Sequence, residues 1–407
     1  MTITVLHLLS QRPLATGSGV TLGSLVEEAA RKGYEQHAVC ASPASEPQPT
    51  IAGLDRDHIH PLLFETEPLD YPVPGMSDVM PYPSTRFASL DDERWGGYRA
   101  SWREHLERVI SKVEPDVIHS HHAWLMSSLV KNLAPDTPLV VHSHATGLRQ
   151  LELCPNRASE VREGVARADH YCVLHGAHER ELIKSLGVPK SRVSIVGAGY
   201  PESLYHARGR ERSHGKSVLY VGKLSAAKGV PELVQAFARV LKRVPDAKLH
   251  VVGAGSGSEG EWIDREIASL GDAVVLYGVV NQSVLADRMR ASDVCVLPSY
   301  YEGLPLVLVS AAASGCELVS TTLPGVVNEL APHLGERLHL VPLPPMASID
   351  KPKPEALPKF VTELAIALEE AMQASTTRAD AVSLEPFTWG AVFGRIEKIW
   401  SRLSASV

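Results

Sequence analysis

Histidines cluster where two predicted strands of the first half of the chain end. His119, His121 and His122 close one strand, and His142 and His144 close the next. Neutral imidazoles in such positions can donate hydrogen bonds to sugar hydroxyls. For His119 and His142 a structural role inside the core is the alternative. No carboxylate, cysteine or HExxH spacing accompanies the histidines, so we expect no metal site here.

A basic loop follows a buried strand in the second half. Gly222 and Lys223 come directly after the predicted strand 217–221, and Lys228 precedes a predicted helix. Fixed cations beside a helix N-terminus stabilise the negative charge that grows on a diphosphate leaving group. Two ordinary surface lysines are the alternative, which the position between strand and helix disfavours.

The most specific motif is the run PSYYEGLP at residues 298–305, which also follows a buried strand. Its Glu302 can accept hydrogen bonds from sugar hydroxyls and offset partial positive charge. Gly303 and Leu304 follow it, and Gly315 is predicted to end the next helix. We therefore expect a sugar-binding carboxylate at this strand end.

A short glycine pattern, Gly17-Ser18-Gly19, follows the first predicted strand and opens a helix. Glycine there lets backbone N–H groups approach a phosphate, although a simple turn is an equal alternative. The full dinucleotide fingerprint is absent, so no NAD site is implied. The chain also has no P-loop and no G-x-S-x-G motif, which argues against a kinase or an esterase.

Composition limits the classes of partner. The chain has 407 residues, 44% of them apolar, and a formal charge of -7 with no long basic run, which argues against nucleic acid. Its five scattered cysteines are expected to be buried, reduced thiols. The sequence has neither a signal peptide nor an apolar run that could cross a bilayer, so we expect a cytoplasmic protein. Contact with a membrane surface stays open.

Strands and helices alternate in two series, which indicates an α/β protein with two Rossmann-like domains. The predicted domains are 1–205 with the terminal helix at about 386–407, and 216–385, the polar stretch 209–215 serving as a linker. Predicted strands are 3–9, 37–41, 117–119, 139–142, 217–221, 248–252, 274–277 and 294–297. Predicted helices are 21–32, 102–112, 230–244, 262–270, 284–291, 357–374 and 389–403. Residues 43–98 lack periodicity.

Together these motifs resemble the family 4 retaining glycosyltransferases of the GT-B fold. The resemblance implies two Rossmann-like domains facing a central cleft, with a C-terminal helix that crosses back to the first domain. It also implies that His121 lies near the reacting sugar, that Lys223 and Lys228 bind the donor diphosphate, and that Glu302 is the first acid of an E-x7-E motif. The implied donor-binding residues are Gly17, Gly19, His144, Gly222, Gly303, Leu304 and Ser310.

Two departures from the family pattern concern the donor site. Lys223 stands where the family usually has arginine, which keeps the charge but loses the planar fork that holds phosphate bidentately. Ser310 stands where the second acid of E-x7-E usually binds the nucleotide ribose. Either Ser310 binds the ribose more weakly, or Glu317 or Glu329 takes over.

The resulting hypothesis is a retaining glycosyltransferase that moves a sugar from a nucleoside diphosphate, UDP being favoured, to an acceptor small molecule or glycan. No metal or other cofactor is expected, because the lysines supply the charge. A GT-B sugar phosphorylase, a nucleotide-sugar epimerase and a non-catalytic nucleotide-sugar-binding protein are the alternatives. The sugar, the acceptor and the oligomeric state are not determined by the sequence.

Overall fold

The computed structural model describes residues 3–13, 16–77, 80–210, 214–348, 350–376, 382 and 384–405. It divides into two compact units, Met1–Gly199 with Trp389–Val407, and Tyr200–Thr388. The second unit begins before the predicted position 216, because Tyr200 donates a backbone hydrogen bond to Phe387 O at 2.9 Å and packs into the core of that unit. The stretch 209–215 therefore lies inside the second unit, and its residues 211–213 fall outside the described residues.

The first unit is built on a parallel sheet of seven strands. They are β1 Thr4–Leu9, β2 Glu35–Pro43, β3 Ile59–Phe64, β4 Val117–His121, β5 Leu139–His142, β6 His170–Val173 and β7 Val193–Ile195. Its first helices are α1 Gly17–Arg31, α2 Asp92–Val113, α3 Leu125–Leu133, α4 Thr146–Leu153, α5 Pro155–Val165 and α6 Gly176–Leu186. The strand order is β3-β2-β1-β4-β5-β6-β7, so the order reverses between β1 and β4.

The predicted irregular segment 43–98 contains an element that the sequence analysis missed. Strand β3 pairs in parallel with β2, Ala38 opposite Ile59, and forms the edge of the sheet. Pro61 interrupts its pattern, and an edge strand tolerates proline because one side of its backbone makes no ladder bonds. Two residue pairs, Pro74–Gly75 and Thr85–Arg86, form a further small sheet.

Helix α2 begins ten residues earlier than the predicted 102, at Asp92. The side chain of Asp91 caps it by accepting a hydrogen bond from Arg94 N at 2.8 Å. Gly96 and Gly97 hide this start in the sequence, because glycine is a poor helix former. The N-cap overrides that local preference.

The second unit contains a parallel sheet of six strands. They are β8 Ser217–Val221, β9 Lys248–Val252, β10 Val274–Gly278, β11 Val294–Leu297, β12 Glu317–Thr321 and β13 Leu338–Val341. Its helices are α7 Val230–Val240, α8 Gly257–Ala268, α9 Gln282–Arg290, α10 Leu306–Ala313, α11 Ala331–Leu334 and α12 Leu357–Ser375. The order β10-β9-β8-β11-β12-β13 reverses between β8 and β11. Short strands Met346–Ser348 and Lys351–Pro352 pair outside it.

The last helix, α13 Trp389–Ser404, belongs to the first unit, as the family resemblance implied. Its Phe393, Ile396 and Trp400 pack with Val5 and Val117 of the seven-stranded sheet. All five cysteines are free, and all five are buried as predicted. Within the described residues, the helices are too short or too polar for one to cross a membrane.

Candidate active site

The carboxyl ends of the six-stranded sheet carry three loops that hold the predicted donor-side residues. We call them the lysine loop (222–229, after β8), the glycine loop (253–256, after β9) and the glutamate loop (298–305, after β11). The lysine and glutamate loops follow the two strands between which the strand order reverses. Open α/β sheets bind ligands at such switch points.

Lys228 and Glu302 meet at this switch point. Lys228 Nζ lies 2.6 Å from Glu302 Oε1 and 3.4 Å from Tyr301 O, and Ser299 Oγ donates to the same carboxylate oxygen at 2.8 Å. Their side chains are 27% and 20% exposed, so a ligand can reach both. Since partly exposed ion pairs contribute little to stability, a bound anion or hydroxyl can exchange with this contact at small cost.

The glycine loop is a functional candidate that the sequence analysis missed. A Cβ on Gly253, which has φ +137°, would lie 1.8 Å from Gly222 O, so only glycine fits there. Leu224 N also donates to Ala254 O at 3.1 Å, which joins the lysine loop to the glycine loop. The signal was available: a glycine-rich stretch between a buried strand and the N-terminus of α8 is typical of phosphate sites.

The other predicted donor-side residues differ in accessibility. Lys223 is exposed, and its backbone carbonyl accepts a hydrogen bond from Tyr220 OH at 2.8 Å. Gly222 N donates to Val252 O at 3.0 Å, so its amide is already occupied. Gly303 O lies 2.2 Å from the position of a Cβ on Gly325, and a larger residue than glycine at 325 would therefore displace the glutamate loop.

Leu304 and Ser310 lie on either side of the start of α10. Leu304 is half-buried in the glutamate loop, whereas Ser310 is only 7% exposed inside the helix. Because α10 leaves the glutamate loop directly, Ser310 lies close in the chain to the candidate site. Its burial leaves little free volume for a larger side chain.

The two acids considered as replacements for the missing ribose ligand occupy different ends of β12. Glu317 begins that strand, 1% exposed, beside Arg337 and His339 at 3.7 and 3.3 Å. Glu317 therefore lies where the strands of this sheet begin, at the end opposite the three loops. The hypothesis that Glu317 replaces the family's ribose-binding acid is wrong. Glu329 follows the carboxyl end of β12, in the turn Val326–Leu330. Of these two acids, Glu329 alone lies on the side of the sheet where it could take over ribose binding.

In the first unit, His121 ends β4, and His142 ends the adjacent strand β5 directly opposite it. Both are fully buried, and burial lowers the pKa of each well below 6.5, an effect that neighbouring imidazoles increase. His144 stacks on both rings, and burial lowers its pKa to about 4. The cluster therefore consists of neutral imidazoles near pH 7, as the sequence analysis predicted.

A chain of hydrogen bonds fixes the tautomer of His142. Trp400 Nε1, which can only donate, bonds His119 Nδ1 at 3.0 Å. The proton of neutral His119 is therefore on Nε2, which lies 3.4 Å from His142 Nδ1. His142 must then carry its proton on Nε2, and within the described residues that buried nitrogen finds no acceptor. His142 thus carries a buried N–H that no acceptor among the described residues satisfies.

The hydrogen bonds from Trp400 through His119 to His142 also argue against a metal ion among these histidines. His119, His121 and His142 offer ring nitrogens within 4.8 Å of one another, so distance alone would allow them to share an ion. However, His142 Nδ1 accepts from His119, and its Nε2 carries a proton. Since a metal needs a free lone pair, this arrangement suits hydrogen-bond donation better than coordination.

His122 connects the strand ends to the Gly17–Gly19 segment. Its Nε2 lies 3.1 Å from Gln11 Oε1 and 3.0 Å from Ser18 Oγ, and its Nδ1 lies 3.2 Å from Thr146 Oγ1. His122 has φ +103°, a strained value for a non-glycine residue. Such strain, about 1–3 kcal/mol, persists where the surroundings enforce it and is frequent at functional sites. Gln11, Ser18 and Thr146 were not identified from the sequence, since their partner is distant in the chain.

Of the two glycines in α1, only Gly19 differs from the prediction. Gly19 N donates to Thr16 Oγ1 at 3.2 Å, because Thr16 is the N-cap of the helix. Its amide is therefore satisfied internally rather than free for a phosphate. A Cβ on Gly17 would meet no atom within 4 Å, so the space around that residue is open.

Replacing Trp400 by Phe removes the N–H that bonds His119 Nδ1. His119 can then carry its proton on either nitrogen, so we expect His142 to adopt both tautomers. We expect the ring ¹⁵N chemical shifts of His142 to move towards a tautomer mixture. Stability should fall by about 1–3 kcal/mol for the unsatisfied buried acceptor, with a further loss for the smaller ring. Trp389→Phe is the matched control, since Trp389 Nε1 on the same helix has no acceptor among the described residues. Unchanged His142 shifts in Trp400→Phe would contradict the tautomer assignment.

Comparison with known proteins agrees with this architecture. The family model "Glycosyl transferase 4-like domain" matches residues 16–199, and "Glycosyl transferases group 1" matches residues 215–345. The D-inositol 3-phosphate glycosyltransferase 2 of Catenulispora acidiphila is 30% identical over 277 residues, 60% of this chain and 64% of that protein. The glycogen synthase of Mycobacterium tuberculosis is 27% identical over 227 residues, 52% of this chain and 53% of that protein. The chain thus matches about half to two thirds of these relatives' lengths.

Solved structures show the same fold. Anabaena Alr3699/HepE, crystallised in complex with UDP and glucose, superposes with a TM-score of 0.62 over 98% of this chain and 100% of that chain, at 15% identity. At this identity the similarity concerns the fold alone. Two parallel α/β units with candidate residues at their switch points define a GT-B protein. The chain belongs to the family 4 glycosyltransferases.

Proposed function

We propose that this chain is a retaining glycosyltransferase that transfers a sugar from a UDP-sugar to a hydroxyl of a small molecule or glycan. The observation that carries the proposal is the Lys228–Glu302 pair at the switch point of the second sheet. It combines a cation suited to a diphosphate with a carboxylate suited to sugar hydroxyls. The choice of UDP is supported by Anabaena Alr3699/HepE, which was solved with UDP and glucose.

Donor binding would exchange the Lys228–Glu302 contact for two contacts with the ligand. Lys228 would then face the diphosphate together with Lys223, and Glu302 would accept hydrogen bonds from sugar hydroxyls. Negative charge grows on the diphosphate as its bond to the anomeric carbon breaks, so the lysines stabilise the transition state more than the ground state. The glycine loop supports this position because it fixes the backbone of the lysine loop.

The acceptor oxygen would form its bond to the anomeric carbon on the face from which the diphosphate leaves. Its proton would pass to the departing diphosphate oxygen, so no enzyme nucleophile takes part. His142 Nε2 and the ring of His121 supply neutral hydrogen-bonding groups that could orient hydroxyls without adding charge. The lowered pKa values of the His121 and His144 rings support this role, because they keep both rings neutral near pH 7.

Catalysis would not depend on a metal ion, because Lys223 and Lys228 provide the positive charge that the diphosphate needs. Initial rates measured in EDTA should equal those in untreated buffer. A full loss of turnover in EDTA, restored by Mg²⁺ or Mn²⁺, would overturn this part of the proposal.

Two measurements test the function. A thermal-shift screen of nucleotide sugars should single out a UDP-sugar, since a ligand that binds only the folded state raises stability with its concentration. NMR of the product from that donor should then show the anomeric configuration of the donor. Turnover that requires inorganic phosphate would instead indicate a phosphorylase, isomerisation of the donor alone an epimerase, and binding without turnover across an acceptor panel a binding protein.

Ser310→Glu is expected to tighten UDP binding up to about tenfold, because a carboxylate at the position of the family's ribose-binding acid would reach the ribose hydroxyls. The strain of a larger side chain at this buried position opposes the gain. A charge-assisted hydrogen bond contributes about 1.5–3 kcal/mol, against about 1 kcal/mol for a neutral one. Calorimetric titration with UDP measures the change, and Ser310→Gln, which has the same size without the charge, is the matched control. Weaker binding in a folded Ser310→Glu variant would show that other groups hold the ribose.

A further inference from the structure

A second group of histidines lies where the strands of the first sheet begin, whereas His121 lies at the carboxyl end of its strand. Glu35 and His37 begin β2, and His58 directly precedes β3, which pairs with β2. Residues two apart on a strand share one face, and the pairing of Ala38 with Ile59 brings His37 beside His58. One carboxylate and two imidazoles therefore lie together at the amino-terminal ends of β2 and β3.

The distances within this group fit a metal ion. Glu35 Oε1 lies 3.6 Å from both His37 Nε2 and His58 Nδ1, and the ligand atoms of all three residues lie within 4.8 Å of one another. Ligands about 2.0–2.2 Å from a tetrahedral ion lie about 3.3–3.6 Å apart, so small side-chain rotations suffice. The three side chains are 48%, 15% and 34% exposed, so an ion can enter from solvent.

Neighbouring side chains hold one of these imidazoles in a suitable orientation. His37 Nδ1 lies 3.2 Å from His60 Nε2, which leaves His37 Nε2 facing Glu35. His60 is held in turn, because His105 Nε2 bonds its backbone oxygen at 3.0 Å, and Arg108 bonds His105 Nδ1 at 2.8 Å. Metal-binding histidines usually have such a partner on the second ring nitrogen, which fixes the ring and its tautomer.

We propose that Glu35, His37 and His58 form a binding site for a divalent transition-metal ion, with Zn²⁺ as the best match. Two imidazole nitrogens and one carboxylate oxygen are a donor set that Zn²⁺ prefers, with water in the fourth position. The ion joins the start of β2 to the segment that leads into the edge strand β3. The role of the ion is structural, since Glu35, His37 and His58 lie at the amino-terminal ends of the strands. The histidines that end β4 and β5 lie at the carboxyl ends.

Calorimetric titration of the full-length, EDTA-treated and desalted protein with ZnCl₂ tests the site. We expect one ion to bind here, and Glu35→Gln, His37→Ala and His58→Ala each to weaken binding at least about tenfold. His333→Ala removes an exposed histidine of the second unit and should leave the affinity unchanged. Zn²⁺ should also raise Tm in the wild type and not in the double variant His37→Ala/His58→Ala.

His119, His121 and His142 form a second, buried group of ring nitrogens within 4.8 Å of one another, so the test must distinguish it from the proposed site. The double variant separates the two sites, because only the surface site is removed. Equal Zn²⁺ affinity in the wild type and the double variant would overturn the proposal, as would a wild type that does not bind Zn²⁺. Glu35→Gln keeps the shape of a half-exposed side chain, so its circular dichroism should match that of the wild type.

Discussion

Lowering the pH from 7.5 to 5.5 is expected to lower the free energy of unfolding of the first unit by about 4 kcal/mol or more. Burial lowers the pKa of His7 and His144 to about 4 and that of His178 to about 3. Below pH 6.5 the unfolded chain binds protons that these folded imidazoles exclude, so stability falls with pH. Each such group contributes about 1.4 kcal/mol per pH unit between 6.5 and its folded pKa.

The sign and the window follow from the direction of the shifts. A histidine with a lowered folded pKa contributes stability that is present above its unfolded pKa and is lost as the pH falls towards the folded value. His119, His121, His122 and His142 have shifts in the same direction and should increase the effect.

Urea denaturation at pH 7.5, 6.5 and 5.5, followed by tryptophan fluorescence, measures this loss. Five of the six tryptophans lie in the first unit: Trp95, Trp102, Trp124, Trp389 and Trp400. His178→Gln removes one buried titrating group and should reduce the pH dependence by about one third of the effect of the three histidines named above. His333→Gln, at an exposed position, is the control for the substitution itself. An unfolding free energy that stays constant between pH 7.5 and 5.5 would contradict the prediction.

Lys228→Ala is expected to lower kcat by about 10²-fold or more while weakening donor affinity much less. The reason is that charge accumulates on the diphosphate mainly in the transition state, and a preorganised cation there typically contributes this factor. In the variant, Glu302 keeps its bond from Ser299 Oγ, so the carboxylate should stay in position. Single-turnover rates and the donor Kd, measured separately, give the two effects.

Two further variants show whether the charge is responsible. Lys228→Arg keeps the cation and should recover part of the activity, and Lys242→Ala, at an exposed position of the same unit, should behave as the wild type. Equal losses in donor binding and in turnover would mean that Lys228 only holds the donor.

The local pattern of apolar and polar residues was sufficient to predict most helices and strands of the second unit. The strands 217–221, 248–252 and 294–297 agree with the structure residue by residue. Both faces of this sheet are buried, Val218 and Tyr220 in one cluster and Leu219 in another. Strands buried on both faces are continuous apolar runs, and glycines or charged residues mark their ends. Strand β3 was missed because an edge strand that contains proline lacks this signal.

Residue type and position relative to the strands determined which groups lie at the carboxyl ends of the sheets. His121, Lys228 and Glu302 could be predicted in this way, because parallel strands joined by helices always present their loops at one edge. The sequence also determined the departures at Lys223 and Ser310. These are properties of short segments, for which hydrophobic periodicity and loop chemistry are sufficient.

Contacts between distant residues were decided by the tertiary structure alone. Lys228 and Glu302 are 74 positions apart, and they meet because β11 pairs with β8 across the switch point. Trp400 lies 281 positions from His119, yet it fixes the tautomer of the histidines at the strand ends. Strand order and the return of α13 to the first unit depend on the packing of the whole chain, which a local pattern does not encode.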